Sequence, residues 1–217
     1  MSKYYRQFAA AYVIGRTGVN APEWLSSDAK EEFVVKTVPE DIRPALDKFK
    51  RKAVLDRVRK VLGFLRNVQP TNLLDIGTGR GTFLWPCMDE FKELDVTVLD
   101  KDEGRYADLE SVRKGGISRL HPYLLDATDM FSFKDDQFEV VTALEVLEHI
   151  PDVEMAAEEI MRVAQRFVVV SVPSKEDNNP EHIHLFGEKD LENLFRKAVS
   201  VKFERIRGHI IGFVRVQ

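Results

Sequence analysis

The chain has almost no cysteine and no long apolar run. Cys87 is the only cysteine among 217 residues, so the chain can form no internal disulfide and no cysteine zinc site. No stretch approaches the roughly 20 apolar residues that span a bilayer, and the apolar run at 8–14 is short for a signal-peptide core. These absences predict a cytoplasmic protein with no membrane partner.

The chain also lacks an excess of positive charge. The formal net charge is −4, whereas a general nucleic-acid binder carries a basic footprint, so DNA is not an expected partner. Between Arg43 and Lys60, however, eight basic residues accompany only Asp47 and Asp56. We interpret this run as the solvated outer face of an amphipathic helix, and the alternative is a patch that faces a polyanion.

The first part of the chain, to about residue 66, has the periodicity of helices. We expect a helix at 4–14, a second from near Asp28 to before Pro39, and a third along an apolar stripe at steps of three and four. The stripe consists of Leu46, Phe49, Ala53, Val54, Val58, Val61, Leu62 and Leu65.

From residue 71 onward, short apolar runs alternate with helical patterns. Strands are predicted at 72–76, 96–99, 123–125, 138–144 and 167–172, and helices at 82–91, 103–114, 153–163 and 188–197. Apolar strands separated by helices are typical of a parallel, doubly wound α/β sheet that is covered on both faces. Residues 199–206 and 210–216 flank Gly208-His209, which predicts a closing strand pair.

A glycine-rich turn, Gly77-Thr78-Gly79-Arg80-Gly81, follows the first predicted strand. Alternate glycines let a ligand and the next helix approach the backbone, and the helix N-terminus favours a carboxylate or phosphate. Asp75 precedes the turn, where a carboxylate attracts an ammonium group; Asp100 and Asp126 end the next two predicted strands and suit ribose hydroxyls and an adenine amino group. In a doubly wound sheet these acids share one crevice, which predicts a ligand with all of these groups.

This set of motifs resembles the class I S-adenosylmethionine (SAM)-dependent methyltransferases over about residues 50 to 217. The resemblance implies a seven-stranded Rossmann-like sheet whose last strand is antiparallel. It also implies that the Gly77–Gly81 turn holds the methionine part of SAM, Asp100 the ribose and Asp126 the adenine. The cofactor-binding residues implied in this way are Asp75, Gly77, Thr78, Gly79, Gly81, Asp100, Lys101, Asp126, Ala127 and Glu145.

Candidate residues for the methyl acceptor follow the fourth and fifth predicted strands. Glu145, Glu148 and His149 have offsets of three and four, so a helical turn would place them on one face. With His184 they are similar to the metal-binding set of small-RNA 3′-terminal 2′-O-methyltransferases, while the alternative is a metal-free pocket. For that pocket we expect His149 as the base, with Glu145 and His184 beside it, since histidine is the side chain whose unperturbed pKa lies nearest neutrality. We interpret His182 as a hydrogen-bonded loop residue.

Residues 1–45 lie outside the shared core, so we divide the chain into an N-terminal helical cap at 1–45 and a methyltransferase domain at 46–217. In the family such an extension often lies over the cofactor as a lid. Its aromatic residues, interpreted as packing or as a pocket wall, are Tyr4, Tyr5, Phe8, Tyr12 and Trp24.

The function predicted from the sequence is transfer of the SAM methyl group to an oxygen or nitrogen of a small-molecule acceptor. The main alternative is a metal-assisted RNA 2′-O-methyltransferase. A nicotinamide dehydrogenase would use a similar glycine turn, but Asp75 and the glycine spacing argue against it. A non-catalytic SAM-binding relative is the fourth reading.

Overall fold

The computed structural model of the protein describes residues 4–175 and 178–217. Its strands, numbered in chain order, are β1 (Asn72–Ile76), β2 (Asp95–Asp100), β3 (Leu120–Leu124), β4 (Phe138–Leu144), β5 (Ala164–Pro173), β6 (Ser200–Ile206) and β7 (His209–Arg215). The α-helices are α1 (Arg6–Thr17), α2 (Ser27–Lys36), α3 (Asp56–Val68), α4 (Leu84–Glu90), α5 (Glu103–Lys114), α6 (Val153–Val163) and α7 (Glu188–Leu194). Among the helices of these residues, none has both the length and the apolar character needed to cross a bilayer.

The strands form one seven-stranded sheet in the order β3-β2-β1-β4-β5-β7-β6. Strands β1 to β5 pair in parallel, and β7 runs antiparallel to both β5 and β6. This arrangement confirms the predicted doubly wound sheet with an antiparallel last strand. The strand order reverses between β1 and β4, and ligands of such sheets bind outside the carboxyl ends of the strands at this point.

Both faces of the sheet are covered by helices, which gives two apolar clusters. Successive side chains of a strand point to opposite faces. In β1, Leu73 therefore joins the cluster that contains α1, α3, α4 and α5, whereas Leu74 joins the cluster that contains α6 and α7. Both leucines are fully buried, which stabilises the fold by about 2 kcal/mol for each side chain.

The third predicted helix is wrong in its first half. The apolar stripe from Leu46 onward divides into a 3₁₀ helix at Arg43–Phe49, a non-helical segment at 50–55 and helix α3. The start of this segment pairs instead with the start of the chain, because Lys50 forms an antiparallel bridge with Tyr4 and Tyr5 N–H donates to Phe49 O at 2.9 Å. Tertiary pairing thus overrides the helical periodicity, and the basic residues at 50–52 do not lie on a helix.

Helix α1 continues past its predicted end at residue 14 and includes Gly15. The glycine is needed inside the helix because α1 crosses α5 there at close range. A Cβ added at Gly15 would lie 1.9 Å from Ser111 O of α5, and one added at Gly115 would lie 1.8 Å from Ala11 O of α1. The two glycines let α1 and α5 pack with their backbones in contact. The helix ends instead at Gly18, whose φ of 72° gives a left-handed C-cap.

Smaller corrections concern element ends. Helix α2 begins at Ser27, just before Asp28, and is capped by Ser26, whose side chain accepts a hydrogen bond from Ala29 N–H. Strand β3 begins at Leu120 and ends at Leu124, which is earlier than predicted, so that Asp126 follows the strand by two residues. The bounds of α5, α6, β1 and β4 agree with the sequence pattern, since the two strands are short, nearly continuous apolar runs that are distinct from the helical patterns around them.

Candidate functional site

The glycine turn connects β1 to α4 in a conformation that side chains rarely adopt. Gly77, Gly79 and Gly81 have φ values of 65°, 56° and 75°, which belong to the left-handed region. A Cβ at Gly77 would lie 2.7 Å from Val146 Cγ2, and one at Gly81 would lie 2.0 Å from Trp85 Nε1. At Gly79 an added Cβ would meet no atom within 4 Å. The turn is therefore packed at its two ends and open in its middle.

Asp75 is a buried carboxyl group at the base of this turn. Only 2% of the residue is exposed, and Oδ1 accepts a hydrogen bond of 2.7 Å from Thr142 Oγ1 of β4. Burial raises the pKa of Asp75 to about 7, and interactions with the Thr142 and Thr78 hydroxyls offset only part of this rise. Asp75 Oδ2 and Thr78 Oγ1 are both buried, and neither forms a hydrogen bond of good geometry.

Asp100 ends the neighbouring strand β2 and is also buried, with 3% of its surface exposed. Its Oδ1 accepts from Asp102 N–H at 3.0 Å. Its Oδ2 has no hydrogen bond, although Arg105 Nη1 of α5 lies 3.7 Å away. Lys101 is exposed beside it.

Asp126 lies at the same edge of the sheet, in the loop after β3. Its Oδ1 accepts from Thr128 N–H at 2.9 Å and from Thr128 Oγ1 at 2.7 Å, which closes a turn of the loop. Partial burial acts to raise the pKa of Asp126, but the hydrogen bonds from Thr128 and the charge of Lys101 outweigh it and keep the pKa below its usual range. Ala127 is buried next to it.

Strand pairing brings these three acids to one edge. Asp75 pairs in register with Val98 of β2, and Asp100 pairs with Leu124 of β3, so the carboxyl ends of β1, β2 and β3 are adjacent. The charge of Asp100 contributes to the raised pKa of Asp75, as expected for neighbouring carboxyl groups. The sequence pattern thus located the three acids at the carboxyl ends of neighbouring strands, although Asp126 lies in the loop after β3 and not on the strand itself.

Glu145 does not join Glu148 and His149 on one helical face. It follows β4 with a φ of 60°, a strained value for a residue other than glycine, and only Leu147–His149 form a 3₁₀ turn. Oε1 of Glu145 accepts from Ser171 Oγ of β5 at 2.7 Å, and Oε2 lies 3.0 Å from His209 Nδ1, a contact without hydrogen-bond geometry. Glu145 therefore faces β5 and β7.

A different group forms around Glu148. One ligand atom from each of Glu148, His149 and His182 lies within 4.8 Å of the others, and Glu148 is fully buried. His149 Nδ1 lies 2.9 Å from the carbonyl oxygen of Glu181, so this nitrogen carries the proton as donor and Nε2 is left as an acceptor. His184 is outside the group, since its Nε2 donates to Ile150 O at 2.9 Å.

The sequence interpretation missed two residues beside Glu145. Arg57 of α3 lies with Nε 4.0 Å from Glu145 Oε1, and its Nη1 lies 3.5 Å from Nε2 of His209 at the start of β7. No local sequence pattern could have indicated these residues, because Arg57 and His209 are 152 positions apart in the chain. The sequence predicted a turn at Gly208-His209, but it did not predict the contact of His209 with Glu145.

Comparison with known proteins gives one family match. Residues 46–198 match a family model described as a methyltransferase domain. The curated relatives include demethylmenaquinone methyltransferase from two strains of Bacteroides fragilis, each 27% identical over 143 residues. That match covers 64% of this chain and 58% of the relative, so the chain spans less than two thirds of the relative's length.

Several solved structures are similar in fold. A SAM-dependent methyltransferase from Aquifex aeolicus has a TM-score of 0.58 and 16% identity, covering 84% of this chain and 97% of its own. The methyltransferase domain of bacterial CtHen1-C has a TM-score of 0.57 and 19% identity, covering 73% and 96%. The [4+2]-cyclase SpnF has a TM-score of 0.59 and 16% identity, covering 74% and 80%. Since one of these is a cyclase, the shared fold does not decide the reaction.

Proposed function

This chain belongs to the methyltransferase domain family, and from that premise we propose that it transfers the methyl group of SAM to an oxygen or nitrogen of a small-molecule acceptor. The main support is a set of buried polar atoms whose hydrogen bonding is incomplete in the described residues. Asp100 Oδ2 accepts no hydrogen bond, and Asp75 Oδ2 and Thr78 Oγ1 have no well-formed hydrogen bond beyond the interaction of Thr78 with Asp75; all three belong to the predicted cofactor crevice. Buried polar groups are nearly always paired, so these atoms call for a polar ligand.

The chemistry of these atoms fits SAM group by group. In the proposal, the carboxylate of Asp75 accepts from the ammonium group, and Asp100 accepts from the ribose hydroxyls. Asp126 has one carboxylate oxygen engaged by Thr128 and the other left for the adenine amino group. The open face of Gly79 lets the methionine part approach the backbone.

When bound, SAM supplies a methyl group on a positively charged sulfur to a nucleophile aligned behind the carbon. The residues of the chain have to align the acceptor, exclude water and remove the proton from the nucleophilic group of the acceptor. We assign proton removal to His149, because the carbonyl of Glu181 fixes the proton on Nδ1 and leaves Nε2 free to accept one. We assign Glu145 and His184 as positioning residues at the same edge of the sheet. Glu145 accepts a hydrogen bond from Ser171 Oγ, and His184 donates one to Ile150 O.

Calorimetry with S-adenosylhomocysteine tests the proposal directly. We expect binding, and Asp100→Asn should weaken it by about tenfold or more, because a hydrogen bond to a charged group contributes about 1.5–3 kcal/mol. Asp41→Asn is the matched control, since Asp41 is exposed in a turn far along the chain from the site. Absence of binding at millimolar ligand, with folded protein, would contradict the proposal.

A second candidate function, metal-assisted methylation of an RNA 2′-hydroxyl, is favoured by the cluster of Glu148, His149 and His182. Carboxylate and imidazole groups suit a divalent ion such as Mn²⁺. This candidate differs from the set predicted from the sequence, because Glu145 and His184 have other partners and His182 takes their place. It remains the alternative because two of the four expected ligands are not in the cluster.

Titration with Mn²⁺ followed by calorimetry separates the two candidates. Under the metal reading, His182→Ala should weaken Mn²⁺ binding at least tenfold, whereas His121→Ala, at the far end of the sheet beside Asp95, should not. Methyl transfer that is unchanged in EDTA would exclude the metal reading and leave the first proposal in place.

A further inference from the structure

Four polar side chains meet beside the ends of β4 and β5 and the start of β7, and we call them the Glu145 cluster. They are Arg57 of α3, Glu145, Ser171 of β5 and His209 of β7, and the contacts between them span 2.7–4.0 Å. His209 pairs in register with Pro173 at the end of β5, so the cluster lies at the carboxyl edge of the parallel strands. The side chains of Arg57, Glu145 and His209 are 21–25% exposed, so a small molecule can reach them although most of each side chain is desolvated.

The Glu145 cluster lies on the other half of the sheet from the predicted cofactor acids. Those acids lie at the ends of β1 and β2 and after β3, whereas the cluster belongs to β4, β5 and β7, and the strand order reverses between the two halves. The halves adjoin at the glycine turn, because a Cβ added at Gly77 would lie 2.7 Å from a methyl group of Val146, the residue after Glu145. A molecule bound at the cluster is therefore next to the cofactor crevice without lying in it.

The contacts within the cluster are incomplete. Arg57 Nη1 lies 3.5 Å from His209 Nε2, and a guanidinium only donates, so Nε2 is the acceptor and the neutral ring carries its proton on Nδ1. This Nδ1 is buried without a hydrogen-bond partner in the described part of the chain, although Glu145 Oε2 lies 3.0 Å away. Arg57 Nε is 4.0 Å from Glu145 Oε1, which is too long for a hydrogen bond. Buried polar groups are normally paired, so this set is open to a further polar group.

The backbone at Glu145 is held in a strained form that supports a functional role. Its φ of 60° lies in the left-handed region, and two contacts with Ser171 fix it. Glu145 N–H donates to Ser171 O at 2.8 Å, and Ser171 Oγ donates to Glu145 Oε1 at 2.7 Å. Strain of this kind persists only where the surroundings impose it, and it concentrates at ligand-binding and active sites. The fold therefore holds this carboxylate beside Arg57 and His209.

The charge of the cluster favours an uncharged ligand. Arg57 and Glu145 cancel each other, and the neutral ring of His209 adds no charge. A carboxylate placed here would face Glu145, and like charges at close range are unfavourable, which argues against the carboxylate of SAM and against an anionic acceptor. The cluster offers guanidinium N–H groups beside Glu145 Oε2, an oxygen that takes part in no hydrogen bond with the described residues.

We infer that the Glu145 cluster binds the uncharged polar end of the methyl acceptor, a carbonyl group with a hydroxyl beside it. The inference rests on the proposed function and narrows its acceptor to a hydroxy-carbonyl compound. Arg57 donates to the carbonyl oxygen, and Glu145 positions the acceptor directly by accepting from the hydroxyl. His209 is a positioning residue, because its ring lies between the guanidinium and the carboxylate and contacts both.

Two fragments that differ in one charge test the inference. Salicylamide has a hydroxyl beside an uncharged carbonyl, and salicylate has the same ring and hydroxyl beside a carboxylate. Each is titrated against the protein with and without saturating S-adenosylhomocysteine, and NMR follows the ring signals of ¹⁵N-labelled histidine. His209→Gln identifies the His209 signal among the five histidines. We expect salicylamide to shift this signal saturably and to bind at least about fivefold more tightly than salicylate.

Substitutions then separate recognition from packing. Arg57→Gln should weaken salicylamide binding at least about fivefold, and by a larger factor than it weakens binding of S-adenosylhomocysteine. Arg59→Gln is the matched control on the same helix, where the side chain is mostly exposed and pairs with Asp56, and it should leave salicylamide binding within about twofold. Glu145→Gln removes the negative charge and should make salicylate the tighter ligand, a reversal that a loss of packing would not produce.

The titrations also distinguish the possible failures. Absence of any shift of the His209 signal with salicylamide would overturn the inference, as would a preference for salicylate in the unsubstituted protein, an unchanged preference in Glu145→Gln or equal weakening by Arg59→Gln. Equal weakening of salicylamide and S-adenosylhomocysteine by Arg57→Gln would overturn it too, by assigning this guanidinium to the cofactor. Binding of salicylamide by a protein that binds no S-adenosylhomocysteine would instead contradict the proposed function and support the subsite.

Discussion

Asp75 combines burial with a charge that the proposed function requires. Its pKa of about 7 in the folded protein is above the ordinary value of 3.8, so folding disfavours its ionised form. The destabilisation is absent below pH 4, grows as the pH rises to 7 and is constant above it. A difference of about 3 pKa units corresponds to about 4 kcal/mol. An ammonium ligand would offset this penalty by pairing with the carboxylate.

Replacing Asp75 by Asn should therefore stabilise the unliganded protein at alkaline pH. We expect a gain in the free energy of unfolding that approaches about 4 kcal/mol at pH 8 and nearly vanishes at pH 4, measured by urea denaturation. Asp126→Asn is the control with the opposite sign, because the lowered pKa of Asp126 stabilises the fold above pH 4 and this contribution is lost as the pH falls. An equal effect of Asp75→Asn at both pH values would show that its charge is not the cause.

Substitutions at two glycines of the turn should separate an effect on the free energy of unfolding from an effect on ligand binding. Gly81→Ala should lower the free energy of unfolding by on the order of 2–3 kcal/mol, because the new Cβ meets Trp85 and the φ is positive. Gly79→Ala has only the φ strain, about 1 kcal/mol, yet it fills the open face of the turn. Gly79→Ala should thus lose more affinity for S-adenosylhomocysteine than stability. The reverse order in calorimetry and denaturation would place the ligand elsewhere.

At the scale of elements, the glycines within helices α1 and α3 have opposite consequences. Gly15 of α1 faces the backbone of α5, whereas Gly63 of α3 has no atom within 4 Å of an added Cβ. Gly15→Ala should destabilise the protein by several kcal/mol through separation of the two helices, or prevent folding. Gly63→Ala should raise the free energy of unfolding by about 0.5–1 kcal/mol, since alanine is the better helix former. Denaturation curves of the pair check this contrast, and equal effects would disprove the crossing.

Sequence patterns located the elements well where the apolar period was local. The strands that carry Asp75 and Asp100 were located correctly because they are short, nearly continuous apolar runs that are buried on both faces of the sheet, with helical patterns between them. The single helix predicted along the apolar stripe from Leu46 to Leu65 is wrong. Leu46 and Phe49 belong to a separate 3₁₀ helix, and the carbonyl oxygen of Phe49 accepts a hydrogen bond from Tyr5 N–H. In the site, contacts of Glu145 with His209 and of Glu148 with His182 depend on loop geometry, which periodicity does not encode.

At the scale of the whole molecule, the N-terminal region shares its core with the sheet. Phe8 and Phe49 stack against Trp85 with ring centroids 5.3 and 4.9 Å away, and Tyr12 lies 5.5 Å from Phe49. Phe8 and Tyr12 belong to the same apolar cluster as Leu73 of β1. The division of the chain at residue 45, and the role of residues 1–45 as a lid, stay predictions.

A chain that starts at residue 46 tests this division. Such a chain loses the buried face of α1, where each large side chain contributes about 2–3 kcal/mol, against a total stability of about 5–15 kcal/mol. We expect it to lose cooperative thermal unfolding and to bind a hydrophobic dye. A truncated chain that unfolds cooperatively and binds S-adenosylhomocysteine as before would show that the first 45 residues are a separable cap.

The position of β7 sets the order in which the sheet can be completed during translation. β6 leaves the ribosome first, yet in the sheet it pairs only with β7, which separates it from β5. Until residues 209–215 are synthesised, the nascent chain presents the outer edge of β5, a strand of ten residues, to chaperones and to neighbouring chains. Closure of the β6–β7 hairpin onto that edge therefore has to follow the synthesis of β7.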